Sequence, residues 1–263
     1  LDGILYKNVL NEYEESIVSL IFCPAGKQGI VTVPDNVAQI ERGAFYGCSN
    51  LERINISKDV TDIAYDEYGN LEYTAFKGCS MLAEIVVDKE NVNYCSSDGA
   101  LYYIGSKFGN SGTRLVCCPA GKQGAIDVQE KAQYIEASAF IGCGGITGIA
   151  MPKSIASIGD EESSIADVFS DCTNLAEITV NEANRLFSVR EGMLYLGRIL
   201  QFCPAGKQGS VTIPQDITGI AEDAFSSCKR VTEIMVDKNN GVYISLDGIL
   251  YRKGEDAAPK SLI

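Results

Sequence analysis

Histidine is absent from the 263-residue chain, and so is tryptophan. Without histidine there is no Ser-His-Asp triad, no Cys-His dyad, no imidazole base and no histidine-containing metal site. Basic residues are scarce: 22 Lys and Arg stand against 35 Asp and Glu, a formal net charge of −13. A surface that negative repels phosphate backbones and anionic lipid headgroups, which argues against nucleic acid as a partner. No stretch approaches the ~20 apolar residues of a membrane-spanning helix. No Cys-x-x-Cys pair offers zinc ligands, and the neighbours Cys117 and Cys118 are a poor substitute. The chain starts at Leu1 without a basic, apolar leader, so the expectation is a removed leader or an excised piece.

What remains is a folding composition, 46% hydrophobic and 22% charged, which excludes a disordered chain. Its organisation is repetitive. Cys-Pro-Ala-Gly-Lys-Gln-Gly occurs three times without variation, from Cys23, Cys118 and Cys203. Ala/Val-Phe-x-x-Cys ends at Cys48, Cys79, Cys143, Cys172 and Cys228. Asp/Glu-Gly-x-Leu-Tyr has its glycine at Gly3, Gly99, Gly192 and Gly248. These glycines are 96, 93 and 56 residues apart. The short last interval is accounted for by one missing 29-residue unit and eight fewer residues before Cys203. Loss of a whole unit is what a stacked array tolerates, because each unit contacts only its neighbours.

Within each unit a β-branched run such as Ile54-Asn55-Ile56 or Val211-Thr212-Ile213 alternates like a short strand. Pro34, Pro152 and Pro214 end three such runs, since proline cannot donate to a ladder. The Ala-Phe-x-x-Cys segment that follows reads as a single helical or 3₁₀ turn. Each unit offers about seven apolar positions, too few to bury alone, so neighbours must stack into one core.

These residues resemble the BspA-like subfamily of bacterial leucine-rich repeats. Val31-Thr32-Val33-Pro34, Val37, Ile40, Ala44-Phe45 and Cys48 follow its unit closely, as do Val211 to Pro214, Ile217, Ile220, Ala224-Phe225 and Cys228. There are departures: Gln129 replaces a strand-ending proline, and two units are stretched, by Asp66–Tyr73 and Asp160–Asp167. The resemblance implies a leucine-rich repeat solenoid. One face would be a curved sheet of short, mostly parallel strands; turns and short 3₁₀ or helical segments would form the other. The Asp-Gly-x-Leu-Tyr…Cys-Pro stretches would add inserted hairpins. Residues 1–263 read as one solenoid domain of three supra-repeats, about 1–95, 96–188 and a shortened 189–263. The resemblance also implies a secreted or cell-surface location and, for several family members, adhesion to host proteins or other cells.

Several candidate sites read more simply as structure. Five cysteines share one register and three another, which suggests a ladder of buried thiols, with a bridge between stacked coils as the alternative. Ala-Gly-Lys-Gln-Gly lacks the earlier glycine and the Ser or Thr of a phosphate loop and reads as a tight turn. Asp88-x-x-Asn91-x-Asn93 and Asp237-x-Asn239-x-Gly241 resemble fragments of calcium loops, but position twelve from Asp237 is Gly248 rather than a bidentate Glu. An Asx turn leaving the strand is the simpler reading. The Phe45, Phe76, Phe140, Phe169 and Phe225 row reads as a core spine. The sequon Asn55-Ile56-Ser57 reads as incidental given the resemblance to a bacterial family.

The strand faces say more. If Ile54 and Ile56 point inward, Arg53 and Asn55 point outward. The same register puts Glu84, Val86, Asp127, Glu177, Thr179, Thr212, Glu233 and Met235 on that face. This polar, mildly acidic surface is the candidate ligand-binding face, because solenoids bind on their extended sheet. The insertions Lys7–Ile21 and Tyr103–Val116 are the alternative. No cofactor, metal or catalytic group is expected. The expected partner is a host or cell-surface protein, with a glycan as the alternative, and no membrane span is expected. Neither end shows a polar cap, so end-to-end self-association is a further expectation. The rival to a binding module is a stalk that presents another domain.

Overall fold

A computed structural model describes residues 3–10, 14–63, 75–105, 112–161 and 163–254, with the backbone alone of 259–262. Glu12, Tyr13 and the stretch Asp66–Tyr73 lie outside the described residues.

The first supra-repeat runs β1 (Leu5–Leu10), β2 (Ser16–Phe22), β3 (Gln28–Thr32), β4 (Val37–Ile40), β5 (Asn50–Ile56), β6 (Asp62–Ile63) and β7 (Glu84–Val87). The second runs β8 (Tyr94–Ser97), β9 (Ala100–Tyr103), β10 (Thr113–Cys117), β11 (Gly124–Asp127), β12 (Ala132–Ile135), β13 (Ile146–Met151), β14 (Ser157–Ile158), a helical turn α1 (Ile165–Val168) and β15 (Glu177–Val180). The third runs β16 (Phe187–Arg190), β17 (Met193–Leu196), β18 (Ile199–Phe202), β19 (Gln208–Ile213), β20 (Gly219–Ile220) and β21 (Arg230–Val236). A last meander follows: β22 (Tyr243–Leu246), β23 (Ile249–Lys253) and β24 (Pro259–Leu262).

The alternating runs form parallel sheets in the orders β3-β5-β7, β11-β13-β15 and β19-β21. The fold is therefore the expected solenoid of stacked parallel strands with almost no helix. The strand face is divided into three sheets, however, and hairpin tips occupy the gaps. The tips are type I′ turns with both central residues at positive φ: Asp98 at 49° and Gly99 at 74°, Glu191 at 50° and Gly192 at 76°. Ile85 N–H donates to the Gly99 carbonyl at 2.8 Å, so the tip continues the ladder past β7.

A second row of strands lies on the other side of the core. The Val-x-x-Ile segments form it, β4 pairing with β2, β12 with β10 and β20 with β18, all in parallel. The inserted stretches are antiparallel meanders, β8-β9-β10 and β16-β17-β18, that join this row. The Ala-Phe-x-x-Cys segments close by i→i+3 bonds, as Cys143 N–H to Phe140 O at 3.1 Å shows. The stretch Asp160–Asp167 adds α1, whose Ser164 and Asp167 form a capping box.

Alternation decides which side chains fill the core. Ile54, Ile85, Ile126, Ile178 and Val211 are buried on the inner face. Behind them the rings of Phe140 and Phe169 pack in a tilted pair with centroids 5.3 Å apart, and those of Phe169 and Phe202 likewise at 5.2 Å. Eight of the ten cysteines are buried, and all ten are free thiols in the structure. Cys48 Sγ lies 3.4 Å from the Cys23 carbonyl, Cys143 Sγ 3.3 Å from that of Cys118 and Cys228 Sγ 2.8 Å from that of Cys203. The thiol thus hydrogen-bonds the carbonyl of the Cys-Pro turn one unit earlier.

Burial pushes the Cys23 and Cys79 thiols up from 9.0 to about 12. Cys48, Cys117 and Cys172 are also raised by burial. A raised thiol favours the native state only while the unfolded thiol is also protonated. That contribution is whole below about pH 9 and is lost as pH climbs toward 12. The urea midpoint is therefore expected to fall between about pH 8 and about pH 10. An unchanged midpoint, with all ten thiols open to alkylation in the native chain, would contradict a buried ladder.

Candidate functional site

Two features of the repeat are structural, and the geometry says why. The lysine of Cys-Pro-Ala-Gly-Lys reaches back to the preceding hairpin tip: Lys122 Nζ donates to the Asp98 carbonyl at 2.5 Å and to Asp98 Oδ1 at 2.8 Å. Lys207 contacts the Glu191 carbonyl in the same way. The tip carboxylates then accept from the next sheet, Glu191 Oε2 from Thr212 N–H at 3.0 Å and Asp98 Oδ2 from Asp127 N–H at 3.5 Å. The lysine clamps each hairpin tip to the turn that leads into the parallel sheet after it.

The Asp/Asn clusters are Asx turns. Asp88 Oδ1 accepts from Glu90 N–H and Asp237 Oδ1 from Asn239 N–H, both at 2.8 Å. The asparagine that follows is the stronger element. Asn91 Nδ2 donates to the Ser57 and Val60 carbonyls, both at 2.9 Å, while its Oδ1 accepts from Asn93 and Tyr94 N–H at 2.9 and 2.8 Å. Asn184 and Asn240 repeat the pattern. Each ties a hairpin to the loop of the unit before it. Among the described residues, no group of three or more His, Cys, Asp or Glu is placed to hold a metal ion.

The outward face of the parallel sheets carries all ten expected residues, but not in one condition. On β3-β5-β7 the row Ile30–Arg53–Glu84 is in register, as is Thr32–Asn55–Val86. Arg53 and Glu84 form an ion pair at 2.5 Å, and Asn55 Nδ2 donates to Thr32 Oγ1 at 3.0 Å. That patch is satisfied internally. On β19-β21, Thr212 lies opposite Met235 and Ser210 opposite Glu233. On β11-β13-β15 the rows are Ala125–Gly148–Glu177 and Asp127–Ala150–Thr179. Where the first sheet has Arg53 and Asn55, this one has Gly148 and Ala150. The side chains of Asp127, Glu177 and Thr179 make no hydrogen bond or ion pair among the described residues.

At the C-terminal ends of these strands, over the small Ala150, lies a groove of about 960 Å³. Ser97, Asp127, Gln129, Glu130, Ala150, Thr179, Asn181 and Glu182 are among its lining residues. Gln129 stands where other units have proline, and Tyr102 gives a reason: its hydroxyl accepts from Gln129 N–H at 3.1 Å. The equivalent Tyr195 hydroxyl, in the unit with Pro214, is buried without a partner among the described residues. Sequence reasoning placed Asp127 and Thr179 on this face but passed over β13, Glu130 and Glu182. The Ile146-x-x-Ile149-x-Met151-Pro152 pattern was the available signal for Gly148 and Ala150.

A stack of parallel strands with Phe and Cys spines behind them defines a leucine-rich repeat solenoid. The chain belongs to the family described as BspA type leucine rich repeat region, which matches in six copies over residues 15–97, 122–196 and 198–245. No match is found among curated proteins. Among solved structures, a leucine-rich repeat protein from Eubacterium ventriosum is 17% identical with a TM-score of 0.50, covering 90% of this chain and 59% of that one. A leucine rich cell surface protein from Faecalibacterium prausnitzii is 20% identical with a TM-score of 0.46, covering 80% of this chain and 60% of that one. The pneumococcal vaccine antigen PcpA is 13% identical with a TM-score of 0.43, covering 91% and 64%. The chain thus spans less than two thirds of each of these structures. Among the described residues no helix is long and apolar enough to cross a membrane.

Proposed function

We propose that the chain is a non-catalytic, adhesin-like protein-binding module of a bacterial surface or secreted protein. Its partner is a host or cell-surface protein, and it binds on the outward face of the parallel sheets. One observation carries the reading: on β11-β13-β15 that face is hollowed into a groove in which the side chains of Asp127, Glu130, Thr179 and Glu182 have no internal partner among the described residues. A surface kept for solubility alone gains nothing from an unfilled groove, whereas ligand sites are concave with a few convergent polar groups.

The second reading, a stalk that presents another domain, is favoured by the internally paired Arg53–Glu84 patch on the first sheet. A binding screen of the purified chain against immobilised matrix proteins, mucins and glycans at physiological salt separates the two. A saturable hit weakened at least about ten-fold by reversing charge at Asp127 and Glu177 supports the module. A hit that ignores these changes moves the site to the inserted hairpins. Binding to nothing supports the stalk.

A further inference from the structure

The repeats allow the chain to be compared with itself, and the middle groove carries more net negative charge than either of its copies. Thr32 and Thr212 occupy the position of Asp127. Lys89 and Lys238 occupy the position of Glu182. Asp35 and Gln215 occupy that of Glu130. Asn181 runs the other way, since Asp88 and Asp237 stand at its position, and Asp35 shares the charge of Glu130; the added acidity comes from Asp127 in place of threonine and Glu182 in place of lysine. No Lys or Arg lines the groove. The nearest clamp lysine, Lys122, is already bound to Asp98. Carboxylates around a concavity focus negative potential into it.

Shape narrows the occupant. Asp127 and Thr179 flank Ala150 in register, so they stand two strand spacings, about 10 Å, apart. That width admits one extended chain lying over Ala150. An extended chain presents every second side chain to the same side, at about 6.7 Å intervals, and so carries repeated charge along the groove.

We infer that the groove of β11-β13-β15 binds an extended, Lys/Arg-rich segment of a partner protein, held by Asp127, Glu130 and Glu182 across an Ala150 floor. This rests on the sheet face being a binding surface and adds the chemistry of what it binds.

The test is fluorescence anisotropy with the 263-residue chain and a labelled peptide of about twelve residues alternating Arg and Ser. Glu/Ser and Gly/Ser peptides of the same length are controls. Saturable binding of the Arg/Ser peptide alone is expected at physiological salt. Asp127→Asn with Glu130→Gln and Glu182→Gln should weaken it about ten-fold or more. Asp59→Asn with Glu222→Gln and Asp223→Asn removes the same charge from exposed positions elsewhere and should change it less than about two-fold. Ala150→Trp fills the groove and should abolish binding. Thr179→Arg, at an exposed strand position, should do so as well without touching the core.

Equal weakening by the two triple variants would overturn the inference, since the attraction would then be that of net charge. Indifference to both Ala150→Trp and Thr179→Arg would also overturn it. If a matrix protein is captured but the Arg/Ser peptide is not bound, the cationic occupant fails and the binding module stands. If the peptide binds in the groove and the screen captures nothing, the occupant stands and the choice of matrix ligands fails.

Discussion

Asn91→Ala is expected to cost about 2–4 kcal/mol of unfolding free energy, read as a lower urea midpoint at unchanged slope. The side chain is 6% exposed and makes four backbone hydrogen bonds, two to carbonyls of the preceding loop and two from its own hairpin. Removing it strands Val60 O and Tyr94 N–H, both in buried residues. Such orphaned groups cost more than the net worth of the bonds that served them. Asn91→Asp separates this account from one based on volume. It keeps the acceptor for Asn93 and Tyr94 but turns an oxygen toward two carbonyls, so it should be destabilising despite its equal size. A loss below about 0.5 kcal/mol for both variants would mean that the loop is held by something else.

Phe169→Ala is the second large effect, about 3–5 kcal/mol. The ring is fully buried between Phe140 and Phe202, with centroids 5.3 and 5.2 Å away. It therefore couples the second supra-repeat to the third. The loss should combine transfer, a cavity and two aromatic contacts. Phe225, half-buried in the last turn of the row, is the internal comparison and should cost clearly less as alanine. Because a solenoid is coupled through nearest neighbours, hydrogen exchange should quicken first around residues 140–202 in Phe169→Ala. Uniform quickening along the chain would contradict that quasi-linear coupling.

Local pattern was enough where local pattern is the cause. The alternation of Ile54 and Ile56 with Arg53 and Asn55 follows from strand geometry, and the outward row was legible for that reason. The repeated motifs gave away the stacking, because identical spacing means identical neighbours. The second strand row was not legible. Val37 and Ile40 sit three apart, a spacing that suggests a helical turn as readily as a strand, and β4 becomes a strand by pairing with β2 and β6. The division of the sheet by hairpin tips was hidden too, since the clamp from Lys122 to Asp98 spans 24 residues. The groove escaped because its floor is made of what is missing. Ala150 carries no chemistry, and it matters only beside Asn55 in the equivalent strand. Gln129 looked like a lapse in the pattern until Tyr102 supplied the partner for its N–H.

The most direct measurement is hydrogen exchange on the chain with and without the protein captured in the binding screen. Slowed exchange confined to residues 124–130, 146–152 and 177–182 is the expected result. Protection confined to the hairpins around residues 5–22 and 100–117, with the parallel strands unchanged, would contradict a binding face on the sheet.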